Sequence, residues 1–262
     1  MHDFHFHRPT SIAEARKLLQ RSETAKLLGG GQSYLPVLKL DLAQPSDLIS
    51  LVGVPELRGV QTDDTQVTIG ASVTHAQVAA QVKDVLPSLA ALASSIGDPQ
   101  VRNRGTLGGS LAHADPAADY PAAVLALRAT IKTDRRTIAA DDFFTGLFET
   151  ALEPDEVIVS CTFQRPRRAA YVKFRSHASR FALVGVMVAH FVDGVFVGVT
   201  GAGPKAFRFS TAEAALTARF DPESVADLVY PADDLTSTEE ASAEYRAHLV
   251  SVMTARAVKR AC

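Results

Sequence analysis

Short apolar runs and helical apolar stripes alternate over the first 165 residues, and longer strand-like runs take over beyond them. Phe4 and Phe6 alternate with His5 and His7, the pattern of a half-exposed strand. Ser11-Ile12-Ala13-Glu14 is a capping box and predicts a helix to about Gln20. Residues 25–28 read as a short strand, 35–42 as helical or irregular, 47–51 as a strand and 67–70 as another after the Asp63-Asp64 turn. Thr74-His75-Ala76-Gln77 is a second capping box, with a helix to about Val82. Residues 87–96 place Leu89, Leu92, Ala93 and Ile96 on one helical face. Residues 95–123 are dense in Gly, Pro, Asn and Asp and predict a long loop, which inside a compact domain is usually functional.

Residues 121–128 are apolar enough for a buried helix, and 129–133, 137–139 and 157–163 read as strands of a mixed sheet. Arg165-Pro166-Arg167-Arg168 reads as a solvated linker and a domain boundary. After it come strands at 170–175, 181–192 and 195–200, the last two joined by Asp193-Gly194, a hairpin signal. Ser210-Thr211-Ala212-Glu213 and Asp221-Pro222 predict two helix starts. A last helix over 241–260 sets Tyr245, Leu249, Val252 and Met253 on one face.

Composition narrows the function classes. The 262 residues suit one large domain or two modest ones, and 47% hydrophobic with 21% charged residues is an ordinary soluble balance. A formal net charge of −2 gives no footprint for nucleic acid or acidic lipid. The two cysteines, Cys161 and Cys262, cannot build a four-thiolate zinc or iron–sulfur site and form no disulfide framework, so a reducing cytoplasm is expected. No apolar run has membrane-spanning length and no signal-peptide core is evident.

The candidate chemistry lies in two glycine runs. Gly29, Gly30, Gly31, Gln32 and Ser33 follow the strand at 25–28, and Thr106, Leu107, Gly108, Gly109 and Ser110 stand in the middle of the 95–123 stretch. Adjacent glycines flanked by hydroxyl residues let the backbone approach a ligand and aim N–H groups at phosphate; a pair of tight turns is the bland reading. No Lys-Ser/Thr follows either run, so an ATPase lacks its phosphate lysine. Ser110, His113 and Asp115 imitate a hydrolytic triad, but triad members converge from distant segments. His2, His5 and His7 lack the partners of a metal site, and no metal is expected. Asp63-Asp64 and Asp141-Asp142 read as solvated turns. A cradle with little acid–base machinery is what a cofactor holder needs, since the cofactor carries the chemistry.

GGGQSYLPVLKLDLAQPSDLISL from Gly29 and IGDPQVRNRGTLGGSLAHADPAADYPAA from Ile96 resemble the two FAD-pyrophosphate loops of the flavin-binding medium subunits of bacterial molybdenum hydroxylases, the carbon monoxide dehydrogenase and xanthine dehydrogenase family. The likeness extends from Phe4-His5-Phe6-His7-Arg8-Pro9 through Phe144-Thr145-Gly146 and Leu152-Glu153-Pro154-Asp155-Glu156 to Glu244-Tyr245-Arg246, nearly the whole chain. It implies an α+β fold with an FAD-binding domain at 1–166, in two subdomains (about 1–53 and 54–166) of the vanillyl-alcohol oxidase and UDP-N-acetylenolpyruvoylglucosamine reductase type. A C-terminal domain of antiparallel sheet and helices at 167–262 would follow. It implies FAD held by both glycine runs, with Asp119 and Lys173 at the cofactor and Phe181 near the flavin ring. Asp119 has the alternative of capping a helix, Lys173 of being an exposed strand residue and Phe181 of being core. The implied function is electron transfer from the [2Fe–2S] clusters of a small partner subunit to an external acceptor. A molybdenum-cofactor large subunit would oxidise the substrate, in a dimer of heterotrimers.

One segment departs from the family. Where relatives carry two arginines and an Asp-Tyr or Asp-Phe pair, this chain has Ser176-His177-Ala178-Ser179-Arg180-Phe181. A cation near the flavin's N1 side raises its potential, so Arg180 is expected to favour reduced flavin. Two other classes compete with the subunit reading: a self-sufficient flavin oxidoreductase and a non-redox nucleotide-binding module.

Overall fold

A computed structural model describes residues 2–261, and Cys262 lies outside the described residues. The chain opens with β1 (His5–His7), α1 (Ile12–Leu19), β2 (Lys26–Leu28), α2 (Tyr34–Lys39) and β3 (Asp47–Ser50). β1 and β2 flank β3 and run parallel to it. Ser11 caps α1 by accepting the Glu14 N–H, but the box is half formed: the Glu14 carboxylate turns back to the Thr10 N–H instead. Ala15, Leu18 and Leu19 pack on Ala25 and Ile49 as a small separate core.

Next come β4 (Val60–Thr62), β5 (Gln66–Gly70), α3 (His75–Gln81), α4 (Pro87–Ser94), α5 (Pro99–Arg104), α6 (Leu107–His113) and α7 (Tyr120–Ala126). They are followed by β6 (Thr130–Thr133), β7 (Thr137–Ala139), α8 (Ala140–Phe143), β8 (Phe144–Gly146), β9 (Glu149–Thr150) and β10 (Ile158–Gln164). The order β4-β5-β10-β6-β7 makes one sheet, with β8 and β9 a separate ribbon. This sheet is antiparallel throughout, not mixed: β4–β5 and β6–β7 are tight hairpins, and β10 inserts antiparallel to both β5 and β6. Asp63 closes the first hairpin by accepting from the N–H groups of Thr65 and Gln66, which holds its carboxyl down to about 2.

The stretch 95–123 is mostly helical, contrary to the expected loop. Asp98 accepts the Val101 N–H with Pro99 as the first residue of α5, and Thr106 accepts the Gly109 N–H at the start of α6. These Asp, Pro and Thr residues are helix starts, a role that uses the same residue types as turns do. α7 is buried along its whole length, as its composition predicts.

The C-terminal sheet runs β11 (Arg168–Arg175), β12 (Ala182–His190), β13 (Val195–Thr200) and β14 (Phe207–Arg208), antiparallel in that order. α9 (Ser210–Ala218) and α10 (Ala243–Ala261) complete the chain. Every residue of β12 but His190 is buried because both faces are covered. Met187 and Ala189 join the core around α7, while Val184, Val186 and Val188 pack with Leu249, Val250 and Met253 of α10. A Cβ at Gly198 would overlap the Ala122 carbonyl, so glycine lets β13 lie directly on α7. The Phe191 N–H bonds to the Gly194 carbonyl, which centres the hairpin turn on Val192 and Asp193, one residue earlier than expected. Ser210 begins α9 without capping it; Glu213 instead turns inward to Arg208 and the Val197 N–H. Asp221 caps only a 3-10 turn, Pro222–Val225. On α10, Leu249 and Met253 are buried but Tyr245 is exposed, edge-on to Phe174. Arg165 is no solvated linker residue: its guanidinium donates to the carbonyls of Val85 and Asp63. No helix among the described residues is long and apolar enough to cross a membrane.

Candidate functional site

A cavity of about 880 Å³ is lined by both glycine runs, Asp119, Lys173 and the segment 178–181. The two runs touch each other. A Cβ on Gly30 would lie 2.6 Å from the Gly105 Cα and closer still to the Arg104 carbonyl; one on Gly29 would lie 2.7 Å from Thr106 Oγ1. Gly31 turns the chain at φ +74°, where glycine carries no Cβ penalty. These glycines let one backbone segment rest on the other.

The first run leaves its donors free. Among the described residues the N–H groups of Gly30, Gly31, Gln32 and Ser33 have no acceptor, although Gly30 and Gly31 are buried. Buried N–H groups without an acceptor are rare and costly. A row of them beside a cavity is a nest for an anion. The Gln32 side-chain amide donates to the Gly30 carbonyl at 3.2 Å and stiffens the turn.

The second run differs. The Leu107 N–H is spent on the Val73 carbonyl at 3.0 Å, that of Gly108 on Ala71 at 2.8 Å, and that of Gly109 on Thr106 Oγ1 at 3.1 Å. The Leu107 side chain is in the core and does not line the cavity. A Cβ on Gly108 would lie 2.5 Å from the Ala71 Cβ, so its smallness serves packing at the end of β5. The expected wrapping of phosphate by N–H groups at Leu107 and Gly108 is therefore not available. Thr106, Gly108, Gly109 and Ser110 do line the cavity, and the Ser110 hydroxyl has no partner among the described residues.

Asp119, Tyr171 and Lys173 come together from positions more than fifty apart in the chain. The Tyr171 hydroxyl donates to Asp119 Oδ1 at 2.5 Å, and Lys173 Nζ lies 2.8 Å from Oδ1 and 3.0 Å from Oδ2. Asp119 stands at the start of α7 without making a cap bond, and the Lys173 side chain is 4% exposed. Neither bland alternative, helix cap or exposed strand residue, is what the fold builds. Burial pushes the Asp119 carboxyl up, against the pull of the Lys173 ammonium, and raises the Tyr171 phenol well above its ordinary value. Phe181 is 46% exposed at the cavity's edge and not core. Beside it Arg180 is exposed, with φ +65°.

Two lining residues escape a reading by motif. His75 is buried, its ring packs on Tyr120 at 5.3 Å between centroids, and its Nδ1 has no partner. Burial, with Arg102 adding to it, holds the imidazole down to about 4, so it is neutral at pH 7. Its place in a capping box gives no sign of this, since the first helical position is usually solvated. Phe148, at φ +55°, is exposed at the cavity with its ring 5.2 Å from that of His113. Ser110, His113 and Asp115 form no hydrogen-bonded chain; Asp115 accepts the Ala117 N–H. His7 bonds to Asp47 at 2.6 Å across β1 and β3.

The residues present fit a dinucleotide cofactor: free buried N–H groups for a diphosphate, hydroxyls of Ser33 and Ser110, and a buried charged pair in one long cavity. Residues 2–163 match the family described as FAD binding domain in molybdopterin dehydrogenase. The carbon monoxide dehydrogenase medium chain of Hydrogenophaga pseudoflava is 36% identical over 98% of this chain and 96% of its own. The nicotine 6-hydroxylase medium subunit of Paenarthrobacter nicotinovorans is 37% identical over 97% of this chain and 95% of its own. The solved structure of quinoline 2-oxidoreductase from Pseudomonas putida 86 superposes with a TM-score of 0.90 at 28% identity, covering 99% of this chain and 97% of that one.

Proposed function

The chain belongs to the FAD-binding family of the molybdopterin dehydrogenases and binds FAD, and from that premise we propose that it is the electron-transfer subunit of a molybdenum hydroxylase. It takes electrons from the [2Fe–2S] clusters of a small partner subunit and passes them to an external acceptor. A molybdenum-cofactor large subunit oxidises the substrate, and the three chains assemble as a dimer of heterotrimers in the cytoplasm. When bound, FAD supplies a carrier that takes electrons singly or in pairs.

The observation that carries this reading is the row of N–H groups at Gly30, Gly31, Gln32 and Ser33 without acceptors. They hold the diphosphate, with the hydroxyls of Ser33 and Ser110 beside them. Asp119 fixes the Lys173 ammonium in place, so a cation is presented at the cavity without a search through rotamers. Phe181 supplies an aromatic surface at the rim. In fold terms we read 1–53 and 54–166 as two subdomains of the vanillyl-alcohol oxidase type. The change from the parallel sheet of β1–β3 to the antiparallel sheet beginning at β4 supports this division. Residues 167–262 are the C-terminal domain.

Denaturing the purified chain and filtering it releases FAD, identified by mass; flavin retained on the polypeptide contradicts non-covalent binding. Under anaerobic conditions the lone chain keeps its flavin oxidised when offered aldehydes, purines or carbon monoxide, while dithionite bleaches it. Bleaching by one of these substrates without partner subunits contradicts the subunit reading and favours a self-sufficient oxidoreductase.

A further inference from the structure

A second cavity, about 370 Å³, meets the first at Lys173, which lines both. Arg175 enters it from β11 beside Lys173, and Arg256 and Arg260 enter from α10. Lys173 and Arg175 both stand on β11, whose pairing with β12 shifts register between Phe174 and Arg175; Arg256 and Arg260 are four apart on a helix and share a face. Two separate elements thus line one space with three arginines, Arg175 from the strand and Arg256 and Arg260 from the helix; Lys173 borders it with its ammonium bonded to Asp119, and no carboxylate lines it. Among the described residues Arg175, Arg256 and Arg260 have no ion-pair partner. Arg136 is tied to Glu156, Arg208 to Glu213 and Arg246 to the carbonyls of Leu183 and Gly201, while Arg21 and Arg104 have no ion pair among the described residues either; what sets Arg175, Arg256 and Arg260 apart is that one cavity collects all three. Favourable placement at the C-terminal end of α10 accounts for Arg256 and Arg260, but not for the convergence of Arg175 on the same space. Ala91 and Val172 add apolar lining.

We propose that this cavity binds a small phosphorylated organic molecule. Its phosphate lies against the guanidinium groups of Arg175, Arg256 and Arg260, which suit a phosphate's several oxygens with forked donors. Its organic part rests on Ala91 and Val172. A phosphate, with two charges and three terminal oxygens, can engage guanidinium groups from both elements at once, which a lone carboxylate does less well. The site is separate from the glycine runs, because neither Arg256 nor Arg260 lines the FAD cavity.

The test is calorimetric titration of the FAD-loaded full chain with phenyl phosphate, with inorganic phosphate and phenol as half-ligands. Phenyl phosphate is expected to bind saturably, one per chain, and about tenfold or more tighter than either half-ligand. R256Q/R260Q is expected to weaken it by about tenfold or more while flavin content and melting temperature stay at wild-type values. The single variant R175Q, on the other wall, is expected to weaken it too, which guards against a local fault in α10. Absence of saturable binding, or affinity within about twofold of wild type in both variants, overturns the proposal. A preparation without flavin would count against FAD binding but not against this site, since the arginine variants report on this cavity alone.

Discussion

The two glycine runs look alike in composition and do different work. In Gly29–Ser33 the backbone N–H groups are free and partly buried; in Thr106–Ser110 the corresponding groups are spent on Val73, Ala71 and Thr106. The first run leaves its donors free beside the cavity, whereas the second is the start of α6 fixed to the end of β5; the first rests on the second through Gly29 and on Arg104-Gly105 just before it through Gly30. A glycine pair beside a hydroxyl residue thus signals close approach of backbone, and the partner approached can be protein as readily as ligand.

The largest effect is expected where the first run meets the backbone just before the second. Gly30→Val pushes its side chain into the Arg104–Gly105 backbone, so it destabilises the fold by about 3 kcal/mol and abolishes FAD binding. Thermal unfolding and flavin content measure both. Unchanged unfolding with lost FAD would mean that Gly30 faces ligand alone.

Acid separates the runs next, through His75, which packs against Gly105, the residue just before the second run. Its folded value of about 4 lies below the ordinary 6.5, so the unfolded chain takes the proton first. Stability from neutral His75 is full above about pH 6.5 and is lost as pH falls through about 4, a change of about 3 kcal/mol. Denaturant titrations across that range show it, and His75→Gln flattens this part of the profile; an identical profile in the variant contradicts the assignment.

Gly108→Ala is expected to cost about 2 kcal/mol against Ala71, while the folded variant keeps near-normal FAD affinity because the Gly108 N–H was never available. A large loss of affinity at normal stability would return Gly108 to the cofactor. The smallest effect is at Thr106→Ala, which removes the cap of α6 and costs about 1 kcal/mol in thermal stability. No change there would mean that the Gly109 N–H has another acceptor.

Much of this was legible in residue order, and the failures have physical causes. Thr74 and Gln77 form both halves of their box, whereas Glu14 found a nearer partner in Thr10. The helices α5 and α6 were hidden because Asp98, Pro99 and Thr106 serve turns and helix starts equally well. β4 and β14, of three and two residues, are too short for any periodicity. Glu213 looked like a capping acid, but Arg208 and the Val197 N–H drew it inward. At the site, resemblance brought Asp119 and Lys173 to attention, yet their mutual bond and Tyr171 depend on the packing of β11 against the start of α7. His75 was unreadable because its burial is set by Gly105 and Tyr120, distant in sequence.

Amide hydrogen exchange, resolved by residue with and without FAD, tests the division of labour most directly. We expect Gly30 to Ser33 to exchange fast in the apo-chain and to become strongly protected when FAD binds, while Leu107 and Gly108 are protected in both states. No gain of protection at Gly30 to Ser33, or a gain confined to Leu107 and Gly108, would contradict the assignment of the diphosphate to the first run.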